Sequence, residues 1–320
     1  MMDRENMGNS QNIAVIGAGL MGHGIAQVFA SQGYRVSLFD VSEEVLAKAV
    51  ESIRANLTLL ARNGIGSTEE IEPAIQRIGV TLDLKEAALG AQFVIEAVPE
   101  KLELKQEIFQ KLEGVCSSDA ILATNTSVIR ITDIASKSKN RERIVGTHFW
   151  FPPYLIPLVE VVKGTDTSAE VMERTYQLMK RAGKHPIKCL KDVPGFVANR
   201  LQHALWREAI SIVEHGIADA ATVDEAIKNS FGIRSGFLGP LENADMVGLD
   251  LTLAIHNVVL KDLEASPDPS PFLQEKVKKG ELGFKSGKGF YDQWTPEEVN
   301  RLRENLLKYL IDHIQRKARP

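Results

Sequence analysis

The chain has 320 residues, 44% of them hydrophobic and 25% charged, the balance of a globular protein with room for two domains and a sizeable core. A formal net charge of -4 supplies no electrostatic pull toward nucleic acid or an anionic membrane, so neither is expected as a partner. Two cysteines, Cys116 and Cys189, cannot build a disulfide framework, and without a CxxC pair or HExxH no metal site is expected; a reduced, cytoplasmic setting is the default.

The apolar run from 13 to 30 looks at first like a targeting segment. Its upstream flank, MMDRENMGNSQN, carries two acids and one Arg instead of a basic region, and four glycines and a histidine interrupt the run. A targeting role is therefore not expected. Instead NIAVI, residues 12 to 16, reads as a buried parallel strand. It runs into GAGLMG, where Gly17, Gly19 and Gly22 enclose Leu20 and Met21 in a G-x-G-x-x-G pattern. A helix with Ile25, Val28 and Phe29 on one face follows, then a second strand, YRVSLFD, closing on Asp40. The first glycine permits the tight turn and the second lets backbone N–H groups approach a pyrophosphate. The third lets the helix pack close, with its positive end toward the phosphates. Asp40 is placed to accept hydrogen bonds from a ribose, and its charge disfavours a 2′-phosphate, which predicts NAD over NADP. His23, inside the loop, is expected to be an exposed bystander.

Residues 42 to 78 read as a helical excursion, capped by Ser42 with Glu43 and Glu44 in the first turn. Further strands are expected at 93–98, 121–126, 144–149, 158–162 and 186–190, with helical patterns between several of them. This alternation predicts a doubly wound, mostly parallel sheet with helices on both faces. Composition changes at KDVPGF, 191 to 196, and beyond it only amphipathic helical patterns remain: 197–215, 223–230, 244–264 and 297–315. Capping boxes are expected at Thr295 with Glu298 and at Thr222 with Glu225. The expected architecture is thus an α/β Rossmann-type domain over 1–190 and an all-helical second domain over 191–320, with substrate lying in the cleft between them.

One stretch stands out chemically. In GTHFWFPPYLIPLVEVV, 146 to 162, a lone His148 and a lone Glu160 sit among aromatic, aliphatic and proline residues. Buried polar groups need partners. A strand ending in His148, a turn through Pro152 and Pro153 and a return strand bearing Glu160 can make them each other's partner.

Taken together, these motifs resemble the NAD-dependent 3-hydroxyacyl-CoA dehydrogenase family, which also includes a lens crystallin and dehydrogenases of small acids. The resemblance runs from about Ile13 to Tyr291. It is carried by GAGLMGHGIA (17–26), IEAVPEKLELK (95–105), TNTS (124–127), THFWFPP (147–153), PLVEVVKG (157–164), KDVPGFVANRL (191–201), GPLENADMVGLD (239–250) and FKSGKGFY (284–291). It implies that His148 is the general acid/base and that Glu160 orients it. Ser127 and Asn199 would hold the reacting oxygen. Glu100, Lys105 and Lys285 match positions that the family places at the cofactor. It also implies a homodimer built on the helical domain.

Two departures bear on substrate. Phe151 stands where the family commonly has an Asn that contacts the cofactor. The excursion ESIRANLTLLARNG carries only Arg54 and Arg62, whereas relatives acting on CoA esters are lysine-rich there. The resemblance implies NAD-dependent oxidation of a 3-hydroxyacyl-CoA, such as 3-hydroxybutyryl-CoA, to the 3-ketoacyl-CoA or the reverse. These departures make the same chemistry on a small non-CoA 3-hydroxy acid or related alcohol the alternative, with a non-catalytic NAD-binding role ranked behind both.

Overall fold

The computed structural model describes residues 11–318; the N-terminal flank through residue 10 lies outside them. They form two compact units, one of residues up to Asn199 together with those from Leu307, the other Arg200–Leu306.

The first unit is an eight-stranded sheet of order β3-β2-β1-β4-β5-β6-β7-β8. The strands are β1 Asn12–Ile16, β2 Arg35–Phe39, β3 Ile78–Thr81, β4 Phe93–Glu96, β5 Ile121–Thr124, β6 Ile144–Phe149, β7 Leu158–Val162 and β8 His185–Cys189. Every neighbouring pair is parallel except β6 and β7, which are antiparallel. The helices are α1 Gly22–Ser31, α2 Glu43–Arg62, α3 Ile71–Gln76, α4 Leu84–Ala88, α5 Leu102–Glu113, α6 Ile131–Ala135 and α7 Ala169–Arg181.

Strand alternation explains the two helical layers. Ile13 and Val15 join one apolar cluster with residues of α1, α2 and α7, while Ala14 and Ile16 join another with residues of α4, α5 and α6. The same parity runs across the sheet: Val159 and Val161 fall in the first cluster, Leu122, Ile144 and Val162 in the second. Successive side chains of a strand face opposite ways. Glu96, Thr124, His148 and Glu160 therefore all project from the second face.

The expected sheet is present, with one strand more than the sequence suggested. β3 starts at Ile78, the last residue of the span read as helical, and runs beyond it to Thr81. It has only four residues, the outer two half-buried and the inner two exposed, and an edge strand of that length leaves no apolar run to read. Before it the excursion is helical over Glu43–Arg62 and Ile71–Gln76, with a loop after Arg62, and Ser42 caps α2 through the Val45 N–H.

The second unit is helical: α8 Ala198–Glu214 runs into it, followed by α9 Ala220–Lys228, α10 Phe231–Arg234, α11 Pro240–Val247, α12 Leu249–Val259, α13 Pro271–Lys278 and the start of α14 Pro296–Ala318. Thr295 and Glu298 form the expected capping box. The cap of α9 is instead Asp219, whose carboxylate accepts from Thr222 N–H; Thr222 is inside the helix, so its pattern with Glu225 was offset by three residues. The pattern over 244–264 is two helices broken at Gly248, where φ is +99°. None of α9 to α13 has a buried residue. The far end of α14 belongs to the first unit, where Ile311 packs with Leu60 and Leu155. Among the described residues no helix is long and apolar enough to cross a membrane.

Candidate active site

The strand order reverses between β1 and β4, and open α/β sheets bind ligands beyond the carboxyl ends of strands at such a point. The glycine loop lies there. Gly17 has φ +103°, and a β-carbon on it would stand 2.8 Å from the carbonyl oxygen of Ala97. A β-carbon on Gly22 would overlap the carbonyl oxygen of Gly17. Gly19 has open space around its missing side chain, so its backbone is free to meet a phosphate. Leu20 is exposed and Met21 half-buried beside it. The Asp40 carboxylate accepts from Ala18 N–H at 2.8 Å and Ser42 N–H at 3.2 Å, which fixes it at the rim of the loop. The residues present thus fit a dinucleotide. His23 is half-buried and donates from Nδ1 to Gly19 O at 2.8 Å, so it buttresses the loop.

The β6–β7 ladder places His148 directly opposite Glu160, and cross-strand partners share a face at contact distance. His148 Nδ1 lies 2.7 Å from Glu160 Oε2, with the two residues 4% and 0% exposed. The other carboxylate oxygen, Oε1, accepts the N–H groups of Val197 at 2.9 Å and Ala198 at 3.0 Å, at the start of α8. Trp150 Nε1 is 3.4 Å from Oε2, and Cys189 Sγ donates toward Oε1 at 3.8 Å. Burial alone would raise the Glu160 carboxyl, but the hydrogen bonds from His148, Ala198 and Val197 outweigh it and hold the group below the ordinary carboxylate range. Burial and the same carboxylate push the Cys189 thiol up to about 12.

The His148 ring is flanked by Trp150 at 5.3 Å and Phe196 at 5.7 Å. Phe196 has φ +52°, a left-handed backbone that a bulky residue adopts only against a cost. With Gly195 also at positive φ, this turn aims the two α8 N–H groups at Glu160. His148 Nε2 has no hydrogen-bond partner among the described residues, so it is the ring atom free to exchange a proton.

Ser127 lies in the turn after β5. Its carbonyl accepts from Asn199 Nδ2 at 3.0 Å, which brings two of the expected oxygen-holding residues together. Glu100 Oε1 accepts Ser127 N–H at 3.0 Å, Val128 N–H at 3.2 Å and the Thr126 hydroxyl. Lys105, 1% exposed, spends its ammonium donors on Glu96 Oε1 at 2.8 Å, Glu100 Oε2 at 3.2 Å and Val98 O at 3.3 Å. Lys285 belongs to the second unit, exposed on a turn bridged between Gly283 and Lys288. Phe151 is 55% exposed at the turn after β6 and offers no polar atom. Among the described residues no cluster could hold a metal.

Sequence reasoning passed over Glu96, Trp150, Cys189 and Phe196. Glu96 carried a readable signal: it is a carboxylate in the buried strand FVIE, the same anomaly that exposed Glu160 in LVEVV. Phe196 carried none, because its role rests on backbone conformation.

Residues 12–193 match the family model for the 3-hydroxyacyl-CoA dehydrogenase NAD-binding domain, and residues 195–293 that for the 3-hydroxyacyl-CoA dehydrogenase C-terminal domain. The chain is 40% identical over 291 residues to 3-hydroxyadipyl-CoA dehydrogenase of Escherichia coli; this covers 90% of the chain but only 60% of that protein's length. It is 33% identical over 301 residues to 5-formyl-3-hydroxy-2-methylpyridine 4-carboxylate 5-dehydrogenase of Mesorhizobium japonicum, covering 94% of this chain and 96% of that one. A solved structure of a dehydrogenase of that same description, termed an NAD+-dependent dismutase, is similar with a TM-score of 0.90 and 32% identity over 97% of this chain and 100% of the other.

Proposed function

The chain belongs to the NAD-dependent 3-hydroxyacyl-CoA dehydrogenase family, and from that premise we propose that it interconverts an alcohol and its carbonyl on a small hydroxy acid or related alcohol that carries no coenzyme A. Bound NAD supplies the hydride acceptor. The loop of Gly17, Gly19, Leu20, Met21 and Gly22 holds its pyrophosphate and Asp40 its ribose, with Lys285 at the family's cofactor position. His148 Nε2 takes the hydroxyl proton as the carbinol carbon loses hydride. Glu160, hydrogen-bonded to Nδ1, holds the ring in the tautomer with Nε2 free and stabilises the resulting imidazolium. The Ser127 hydroxyl and the second N–H of the Asn199 amide hold the reacting oxygen. In the reverse direction the same imidazolium returns the proton.

The charge of the α2–α3 excursion carries the choice of substrate. Residues 43 to 77 hold six carboxylates against four Lys and Arg, and Arg54 is already paired with Glu72. The phosphates of coenzyme A would meet net negative charge there, which disfavours docking. The full-length likeness to the pyridine carboxylate dehydrogenase supports a free acid. A second reading, a 3-hydroxyacyl-CoA such as 3-hydroxybutyryl-CoA, is favoured by the 40% identity to an enzyme named for a CoA ester. Steady-state NADH oxidation with acetoacetyl-CoA, free acetoacetate and a panel of aromatic and aliphatic oxo-acids separates the two. The expected result is a kcat/KM for a free acid at least about tenfold above that for the CoA ester, about 1.4 kcal/mol of discrimination. A preference for the ester by the same margin overturns the choice.

Residues 1–190 act as the NAD-binding domain in this reading and 191–320 as the substrate and dimerisation domain. Uncovered apolar side chains on α10 to α12, among them Ile233, Leu253 and Val258, support a second copy as their cover; a single-chain mass by analytical ultracentrifugation would remove the homodimer. The two buried free thiols suit a reducing, cytoplasmic setting.

A further inference from the structure

The buried ammonium of Lys105 and the carboxylates of Glu96 and Glu100 have no part in the proton path through His148, yet they form a dense ionic cluster in the first unit. Burying a lysine this completely is costly unless its charge is matched. Glu96 matches it, and is itself held by the Thr124 hydroxyl at 2.7 Å and by Val98 N–H at 2.7 Å. That leaves Glu100 with a different task. Its Oε2 is anchored on Lys105, and its Oε1 collects the donors of three consecutive residues, Thr126, Ser127 and Val128. The Thr126 hydroxyl in turn accepts Ile129 N–H at 3.0 Å. On the opposite side, Asn199 grips the Ser127 carbonyl. Both backbone polar groups of Ser127 are therefore fixed, and its hydroxyl is the one polar group of the residue left to face a ligand.

The geometry points to Glu100 as a positioning residue, anchored by Lys105, that sets the Ser127 turn and so aims the Ser127 hydroxyl. This deepens the proposed function, since it rests on Ser127 holding the reacting oxygen. It differs from what family position implies for Glu100, which is a contact with the cofactor. A carboxylate suits the task because its single oxygen accepts several converging N–H and O–H groups at once, and charge-assisted bonds of this kind are the stronger ones. Lys105 keeps its pairing with Glu96 if Glu100 is removed, so the cluster survives the test.

The test is hydrogen exchange by mass spectrometry on peptides covering residues 125–130, in the wild type and in Glu100→Ala and Glu100→Gln, with NADH titration by fluorescence on the same samples. Exchange reads local opening directly and does not depend on turnover. The expected result is exchange at least about tenfold faster over 125–130 in Glu100→Ala, partly restored in Glu100→Gln, with β1 peptides unchanged and NADH affinity within about threefold of wild type. With a turned-over substrate, kcat falls more than KM rises. Unchanged exchange over 125–130 overturns the proposal, and unchanged exchange with NADH affinity lost by about tenfold or more assigns Glu100 to the cofactor instead. A wild type that turns over nothing would count against the proposed function, while the exchange data would still decide the role of Glu100.

Discussion

His148→Gln lowers kcat by about 10²- to 10⁴-fold, the range of a positioned acid/base, and leaves NADH affinity nearly unchanged. The separation follows from where the residue sits. His148 lies on β6, its Nδ1 occupied by Glu160, its ring wedged between Trp150 and Phe196 and its Nε2 unbonded. The cradle proposed for the cofactor, the glycine loop and Asp40, lies instead at the ends of β1 and β2. Gln keeps approximate size and hydrogen bonding but cannot take up a proton at neutral pH. Steady-state kinetics with a fluorescence titration of NADH checks both halves; turnover within about threefold of wild type would reject the assignment.

Glu160→Gln has the second large effect, and it falls on catalysis and stability together. A carboxylate offers two acceptor oxygens, and Glu160 uses both: Oε2 for His148 Nδ1, Oε1 for the N–H groups of Val197 and Ala198. An amide has one acceptor oxygen and an NH₂ that only donates. Whichever way it is turned, its NH₂ meets a donor. Facing His148 it forces the proton onto Nε2, the atom that must stay free; facing α8 it leaves two buried N–H groups without an acceptor. The expected loss is at least about 100-fold in kcat and about 1–3 kcal/mol in unfolding free energy. The pH dependence has a definite sign. The Glu160 carboxyl is held below its ordinary value in the folded chain, so its contribution is fully present above the unfolded carboxylate pKa. It is lost as pH falls through the lower folded value. Urea unfolding of both proteins at about pH 7 and about pH 3 should show the gap closing on acidification. A gap independent of pH would mean that the charge of Glu160 is not what stabilises the fold.

The parts of this molecule that could be read from the sequence are those in which one side chain contradicts its surroundings. A carboxylate in LVEVV and a histidine closing IVGTHF are such contradictions, and the β6–β7 register joins them. The glycine loop was legible because a strand, three spaced glycines, a helix and Asp40 follow in one short stretch. β3 was not, since four half-buried or exposed residues at a sheet edge carry no periodic signal. The break at Gly248 inside one amphipathic pattern was hidden for a related reason: hydrophobic period does not report a local turn of the backbone. The Glu100 grip on the Ser127 turn joins residues 27 apart in the chain, and no local pattern shows such a pairing. Phe196 is the clearest loss, because its positive φ directs two N–H groups onto Glu160 without leaving a mark in residue type.

The most direct test of hydride transfer governed by His148 uses NADH deuterated at the transferred position, with the best oxo-acid found for the wild type. The expected result is an alcohol product carrying deuterium on its carbinol carbon, formed by the wild type and not by His148→Gln over the same interval. Product without label, or equal label from both proteins, would contradict the account.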